Sequence, residues 1–325
     1  MESVQDAGIV LLSPMQDTFY AKNMYANFGE IGQNIKELMT DFQRKAQTNQ
    51  KLESIADMKN FVEQYPQFRK ISGTVSKHVM VVGELSRIVS SNSLLEVSEV
   101  EQQVACDGEH SHCLNDIRRL LQNQHITDID ACRLVMLYAL RFETHTNNDI
   151  SGLVQLLKRR TSNTRLISAV RAVLDFAGAS RRQNDLFGGS AMAMTKRIIK
   201  GLKGVENIYT QHEPYLCQLI DSIAKGRLSE TAYPHVTAAH SNRIDNVIVF
   251  IIGGATYEES RAVYSANERK RTGSGGGNSP AVLLLSTCML NAKRFGFFIY
   301  FMHSFEFCSV SSFVCNSKLF SNLQN

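Results

Sequence analysis

Within eight positions the chain places Cys106, His110, His112 and Cys113. Thiolate and imidazole are the donors that Zn²⁺ favours, so this cluster is the first place to look for a metal. Its spacing argues against one. Ligands adjacent or two apart strain a tetrahedral site, and Asp107, Gly108 and Glu109 between them have the character of an exposed interhelical loop. A second motif, Gly253-Gly254-Ala255-Thr256, follows an apolar run, and backbone amides at a helix start attract anions. The full G-x-x-x-x-G-K-[ST] and G-x-G-x-x-G patterns are both missing. Glu258 and Glu259 in the next turn would complement the helix dipole and repel a phosphate. Gly253, Gly254, Thr256 and Glu258 are therefore expected to form a structural turn, with a nucleotide-binding α/β protein as the alternative. No Ser/His/Asp or Cys/His pairing stands out, so neither an enzyme, a cofactor nor a small-molecule substrate is supported.

The elements around these motifs are mostly helical. From Asp17 to about Leu228 apolar residues recur every three or four positions, as in Phe28, Ile31, Ile35, Leu38, Met39 and Phe42. A longer run, from Phe61 through Tyr65, Phe68, Ile71, Val75, Val79, Val82 and Leu85 to Val89, keeps that spacing across Pro66 and Gly73. Proline removes a backbone donor and disfavours the helical region for Tyr65, so a helical hairpin over 61–90 is predicted, bent at Tyr65-Pro66-Gln67. Further helices are expected at 94–105, 113–122, 128–143, 153–159, 164–176 and 191–201. The one beginning at Asp128, taken as its N-cap, is apolar on most sides and should be buried. After Pro234 the character changes. The run 246–252, NVIVFII, has no helical period and ends at the glycine pair, which predicts a buried parallel strand feeding a helix over 256–264. A second strand is expected at 281–285. One βαβ unit does not close a sheet by itself. The fold class is mainly α with a partial parallel α/β segment.

Composition bounds the partners. Lys and Arg number 35 against 31 Asp and Glu, a net charge of +4 that is too small to mark a nucleic-acid binder. The basic clusters at 158–160, 181–182, 196–203 and 269–271 are expected on solvated faces. Seven cysteines without a repeated short spacing fit a reducing compartment. The first ten residues lack a secretory pattern, and the apolar stretch 281–302 is split by Asn291, Lys293 and Arg294 below the length of about 20 residues that a spanning helix needs. A cytoplasmic protein is expected.

Several long segments carry a resemblance. FYAKNMYANFGEIG (Phe19 to Gly32), KLESIADMKNFVEQYPQFRKISGTVSKHVMVVGELSRIV (Lys51 to Val89), LLEVSEVEQ (Leu94 to Gln102), ACRLVMLYALRFE (Ala131 to Glu143), KGLKGVENIYTQHEPYL (Lys200 to Leu216), KGRL (Lys225 to Leu228) and VIVFIIGGATYEESRAVY (Val247 to Tyr264) closely resemble the SM family, the Sec-one/Munc-eighteen-like partners of SNARE proteins. The resemblance runs from about Ile9 to Arg271. It implies a scaffold and not an enzyme: a SNARE- and syntaxin-binding regulator of vesicle docking and membrane fusion in protein transport, peripheral on Golgi and endosomal membranes. It also implies that 17–210 is the family's helical third domain and 211–272 the C-terminal part of its second, leaving 1–16 poorly matched. The family's hairpin maps onto 61–89, which makes Tyr65, Pro66, Phe68, Lys70, Lys77, Val82 and Leu85 the expected partner-binding residues. Residues 273–325, Gly-rich and then rich in Phe, Ser and Cys, depart from the family and have the look of an alternative exon. A truncated isoform without function is accordingly a further reading.

Overall fold

The computed structural model describes residues 11–50, 55–106, 108–181, 208–236, 244–273, 279–292 and 294, with backbone alone for 45, 47–50 and 55–70. It is mainly helical with small parallel sheets. Two compact units divide it, Met1–Ser91 and Asn92–Asn325. That division falls inside the segment 17–210 which the sequence reading treats as one domain.

The first unit holds α1 (Thr18–Asn23), α2 (Phe28–Gln50) and α3 (Ile55–Ser91). Asn27 and Glu30 cap α2 reciprocally: the Asn27 N–H donates to Glu30 Oε2 at 2.8 Å and the Glu30 N–H to Asn27 Oδ1 at 2.9 Å. Helices α2 and α3 pack along each other, burying Ile35 and Val75. The bend expected at Tyr65-Pro66-Gln67 is absent. Helix α3 runs unbroken through Pro66 and Gly73 for 37 residues, about 55 Å at 1.5 Å per residue. The hairpin is instead α2 against α3, with its connection, 51–54, outside the described residues. Proline deletes one backbone bond and crowds the Val62 carbonyl, at a cost of about 3 kcal/mol. The bonds on either side survive, and helix formation is cooperative enough to cross a single gap when the element is long and packed.

Helix α1 is tied to both long helices by buried polar groups. The Asn34 side-chain amide donates to Asn23 Oδ1 at 2.5 Å, and Asn23 Nδ2 in turn donates to the Phe19 carbonyl at 2.8 Å. Asp17 caps α1 by accepting from the Tyr20 N–H at 2.9 Å. Its side chain is only 4% exposed, accepts from Lys77 Nζ and lies 2.8 Å from His78 Nε2, whose ring packs on Phe19 at 4.7 Å. Burial alone would raise the Asp17 carboxyl, but the hydrogen bonds from Lys77, the Tyr20 amide and His78 prevail and bring it down to about 2.

The second unit is built around α6 (Asp128–Phe142), where Ala131, Leu134, Val135, Tyr138 and Ala139 have no exposure at all. Around it pack α4 (Leu94–Ala105), α5 (His110–Gln122), α7 (Ile150–Arg160) and α8 (Thr164–Ala177). The cap of α6 is Thr127, not Asp128: Thr127 Oγ1 accepts from the Asp130 N–H at 3.2 Å. Asp128 sits one residue inside and accepts from Arg160 Nε at 3.1 Å. Arg160, expected on a solvated face, is instead 12% exposed. Its guanidinium donates to the carbonyls of Leu121 at 3.0 Å, Asn123 at 2.7 Å and Ile126, satisfying the acceptors of the α5–α6 connection.

Beyond these helices β1 (Asn246–Ile251) pairs in parallel with β3 (Ala281–Ser286), and β2 (Ala255–Thr256) with β4 (Met289–Leu290). Helices α9 (Tyr215–Ala224) and α10 (Tyr257–Arg271) cover one face through Leu216, Ile220, Val263 and Ala266, packed on Val282, Val247 and Val249. β1 is therefore not the fully buried strand expected. Its alternate residues Ile248 and Phe250 are 67% and 53% exposed, and Leu283 beside them 54%. Asn267 of α10 binds the backbone of β3, donating to the Val282 carbonyl and accepting its N–H, both at 2.8 Å. The helix expected at 191–201 lies outside the described residues.

Two outcomes test this account. Arg160→Ala should lower unfolding stability by about 3 kcal/mol in urea titrations, because it strands buried carbonyls. For Asp17 the folded carboxyl binds its proton more weakly than the unfolded one. Its contribution, about 2 kcal/mol, is present above pH about 3.8 and lost as pH falls toward 2. Asp17→Asn should flatten that acid limb.

Candidate functional site

The sequence reading concentrates partner binding on α3, and the C-terminal half of that helix carries exposed apolar side chains. Val79, Met80 and Leu85 are 38%, 42% and 40% exposed, and Val82 is half-buried between them. Residues 79, 82 and 85 are three apart and share a face. The exposed pair Glu84 and Arg87 lies on the next turn, Arg87 Nη2 donating to Glu84 Oε1 at 2.6 Å, and that hydrogen bond holds the Glu84 carboxyl below its ordinary range. Lys77 is turned toward Asp17, so its ammonium belongs to the anchor of α1. Tyr65, Pro66, Phe68 and Lys70 all lie within α3, but their side chains are outside the described residues.

At the glycine pair the backbone does something only glycine does easily. Gly253 and Gly254 have φ of +108° and +109°. A Cβ on Gly254 would stand 2.7 Å from Leu290 Cγ and 2.8 Å from Cys288 Sγ, so the residue permits the close approach of β2 to β4. The N–H of Gly253 donates to Thr287 Oγ1 at 3.0 Å. Helix α10 then opens with a capping box: Glu259 Oε2 accepts from the Thr256 N–H at 2.6 Å, and Thr256 Oγ1 accepts from the Glu259 N–H at 3.4 Å. A carboxylate of the chain itself thus sits where a nucleotide phosphate would have to bind. Glu258 stays in the first turn, 3.5 Å from Arg261. The nucleotide alternative has no support in this geometry.

The Cys/His cluster is dispersed by the fold. Cys106 and Cys113 are buried, His112 is exposed, and His110 Nε2 lies 2.8 Å from Tyr138 Oη. Burial, with a smaller push from Asp116, raises the Cys113 thiol to about 11, so at neutral pH it is a thiol and a poor metal ligand. Among the described residues no group of three His, Cys, Asp or Glu could hold an ion, and no helix is long and apolar enough to cross a membrane. Two contributors carry no recognisable signal in the sequence: Asp17, which caps α1 and binds Lys77 and His78 of α3, and Asn267 of α10.

Comparison with known proteins fits this architecture. The Sec1 family model matches residues 3–296. Human vacuolar protein sorting-associated protein 45 is 52% identical over 294 residues, covering 90% of this chain and 50% of that protein. The Saccharomyces cerevisiae protein of the same name is 30% identical over 306 residues, covering 90% and 52%. The solved structure of the SM protein Vps45 in complex with the Qa SNARE Tlg2 (1-310) superposes with a TM-score of 0.76 at 40% identity, over 91% of this chain and 51% of that one. The Unc18–syntaxin 1 complex from Monosiga brevicollis, at 17% identity and a TM-score of 0.63, shares the fold. This chain spans about half the length of the curated relatives it matches. The match passes beyond Arg271, where the quoted resemblance ends, and takes in β3 and β4 past the glycine-rich stretch. With a family model covering most of its length and a relative at 52% identity, the chain belongs to the Sec1 family.

Proposed function

We propose that this chain is a non-enzymatic SNARE-binding regulator of vesicle docking and membrane fusion, acting in protein transport between Golgi, endosome and vacuole or lysosome. It associates with those membranes from the cytoplasm through syntaxin-type SNAREs and takes no nucleic acid. The carrying observation is the likeness to a solved relative described as bound to a Qa SNARE, at 40% identity over 91% of this chain. The α2–α3 arm supplies the surface. Val82 and Leu85 belong to the part of α3 that meets the SNARE helices, Tyr65, Pro66, Phe68 and Lys70 belong to the same binding segment farther along that helix, and Lys77 contributes by anchoring α1. An exposed apolar face on a long helix favours this reading, since an amphipathic partner helix gains by laying its own apolar side there. Within the residues 17–210 and 211–272 we assign the helical third domain and the end of the second.

Pro66 sets how readily the arm takes this continuous form. The helix through it bears a penalty of about 3 kcal/mol that alanine would remove. Pro66→Ala should raise amide protection over 61–75 and strengthen binding to an assembling SNARE bundle by about threefold or more in titration calorimetry. Leu85→Asp should weaken the same binding by about tenfold. Unchanged affinity in both variants, with unchanged exchange in the first, would sink the proposal.

A further inference from the structure

In the unit Asn92–Asn325 one hydrogen-bond chain joins three elements. The Asp149 N–H, at the cap of α7, donates to Tyr138 Oη at 3.0 Å, and Tyr138 Oη lies 2.8 Å from His110 Nε2 at the start of α5. Tyr138 has no exposure, so its hydroxyl proton needs an acceptor inside the protein. The amide of Asp149 already donates to the phenol oxygen, which leaves His110 Nε2 as that acceptor. His110 is then neutral, with its proton on Nδ1. His145 stacks on the same ring, centroids 3.9 Å apart and planes 16° from parallel, and Phe142 meets it edge-on at 5.0 Å. His145 Nδ1 accepts from the Asn147 N–H at 3.2 Å, which requires an unprotonated nitrogen there too.

We propose that His110, Tyr138 and Asp149 form a proton-operated clasp, closed while His110 is neutral, that holds the α6–α7 connection, residues 143–149, to the start of α5. Protonating Nε2 turns the acceptor into a donor. Tyr138 then faces two donors, and its own proton is stranded in a buried site. The new cation would also lie against the stacked imidazole of His145. The charges nearby do not offset this. Glu109, capping α5, favours the cation, and Arg141 of α6 stands with its guanidinium 5.7 Å from the centroid of the Phe142 ring. The Asp149 carboxylate is held by Arg118 Nη2 at 2.6 Å and by the Gly152 N–H at 3.1 Å, and Glu143 accepts from the Ala179 N–H. Cys113 is an uncharged thiol. Burial first and His145 second thus lower the pKa of His110 from its ordinary 6.5, against the smaller pull of Glu109. The folded ring binds its proton more weakly than the unfolded one. The clasp is therefore fully effective above pH about 6.5 and is lost as pH falls through the lowered value.

The clasp lies outside the arm proposed for SNARE binding, so the two proposals fail separately. In the full chain, exchange of the Asp149 amide, corrected for the intrinsic pH dependence of exchange, is followed from about pH 7.5 to about pH 5. Protection should fall by about tenfold or more. In His110→Gln, whose side-chain carbonyl keeps an acceptor for Tyr138 without titrating, it should fall by less than about threefold. Equal losses in both proteins, or flat protection in the parent chain, overturn the proposal. His145→Asn provides a second reading: removing the stacked imidazole should move the transition to higher pH. A transition that stays in place overturns the clasp even where the glutamine variant does not fold.

Discussion

Helix α6 has almost no side that faces water, and the second unit follows from that constraint. A helix apolar all round must be enclosed, and α4, α5, α7 and α8 do so with Val100, Ile117, Leu157 and Val170 among their buried contacts. Enclosure has a polar consequence. The connections between the surrounding helices run close over α6, and their backbone groups meet side chains more readily than solvent. Arg160 takes three carbonyls of one connection, Tyr138 takes an amide of another, and Arg133 joins Glu101 of α4 to Asp130 at 2.9 Å. Burial pushes the Glu101 carboxyl upward against the pull of Arg133, which marks this ion pair as one held by geometry more than by charge.

The first unit meets the opposite situation. Among its described residues few are deeply buried, so its helices rely on point attachments. Asp17 and Asn23 are such attachments, each satisfying groups on two helices at once. A proline inside α3 is tolerable there because neighbouring turns keep their bonds. It also leaves the helix weaker in the half farther along the arm, away from the residues that Asp17 grips.

The periodicity of apolar residues was enough to place most helices and both principal strands, because burial dictates spacing directly. The family could be seen from long segments such as the stretch around Ala131 to Glu143. Three features were hidden for identifiable reasons. Pro66 looks like a break because its local penalty is visible in sequence, whereas the cooperativity of 37 residues that outweighs it is not. Arg160 sits in a run of three basic residues and shares their composition, and only its rotation about α7 turns it inward. The outer face of β1 looks buried because NVIVFII is apolar at nearly every position, although the helices cover one side only. At the glycine turn the acidic residues were informative, since Glu259 fills its own helix terminus. The binding face of α3 could be proposed from sequence but not delimited, because contact with Asp17 decides which way Lys77 points.

The side-chain amide of Asn267 makes the two borders of the larger sheet unequal. It occupies both the donor and the acceptor of Val282, as a neighbouring strand would, so a newcomer at that border would have to displace two bonds before making its own. Among the described residues no strand borders β1 on its far side, so pairing there begins without such a loss. Propagation of the ladder is thus directional: one border is terminated by its own helix, and the other remains a template.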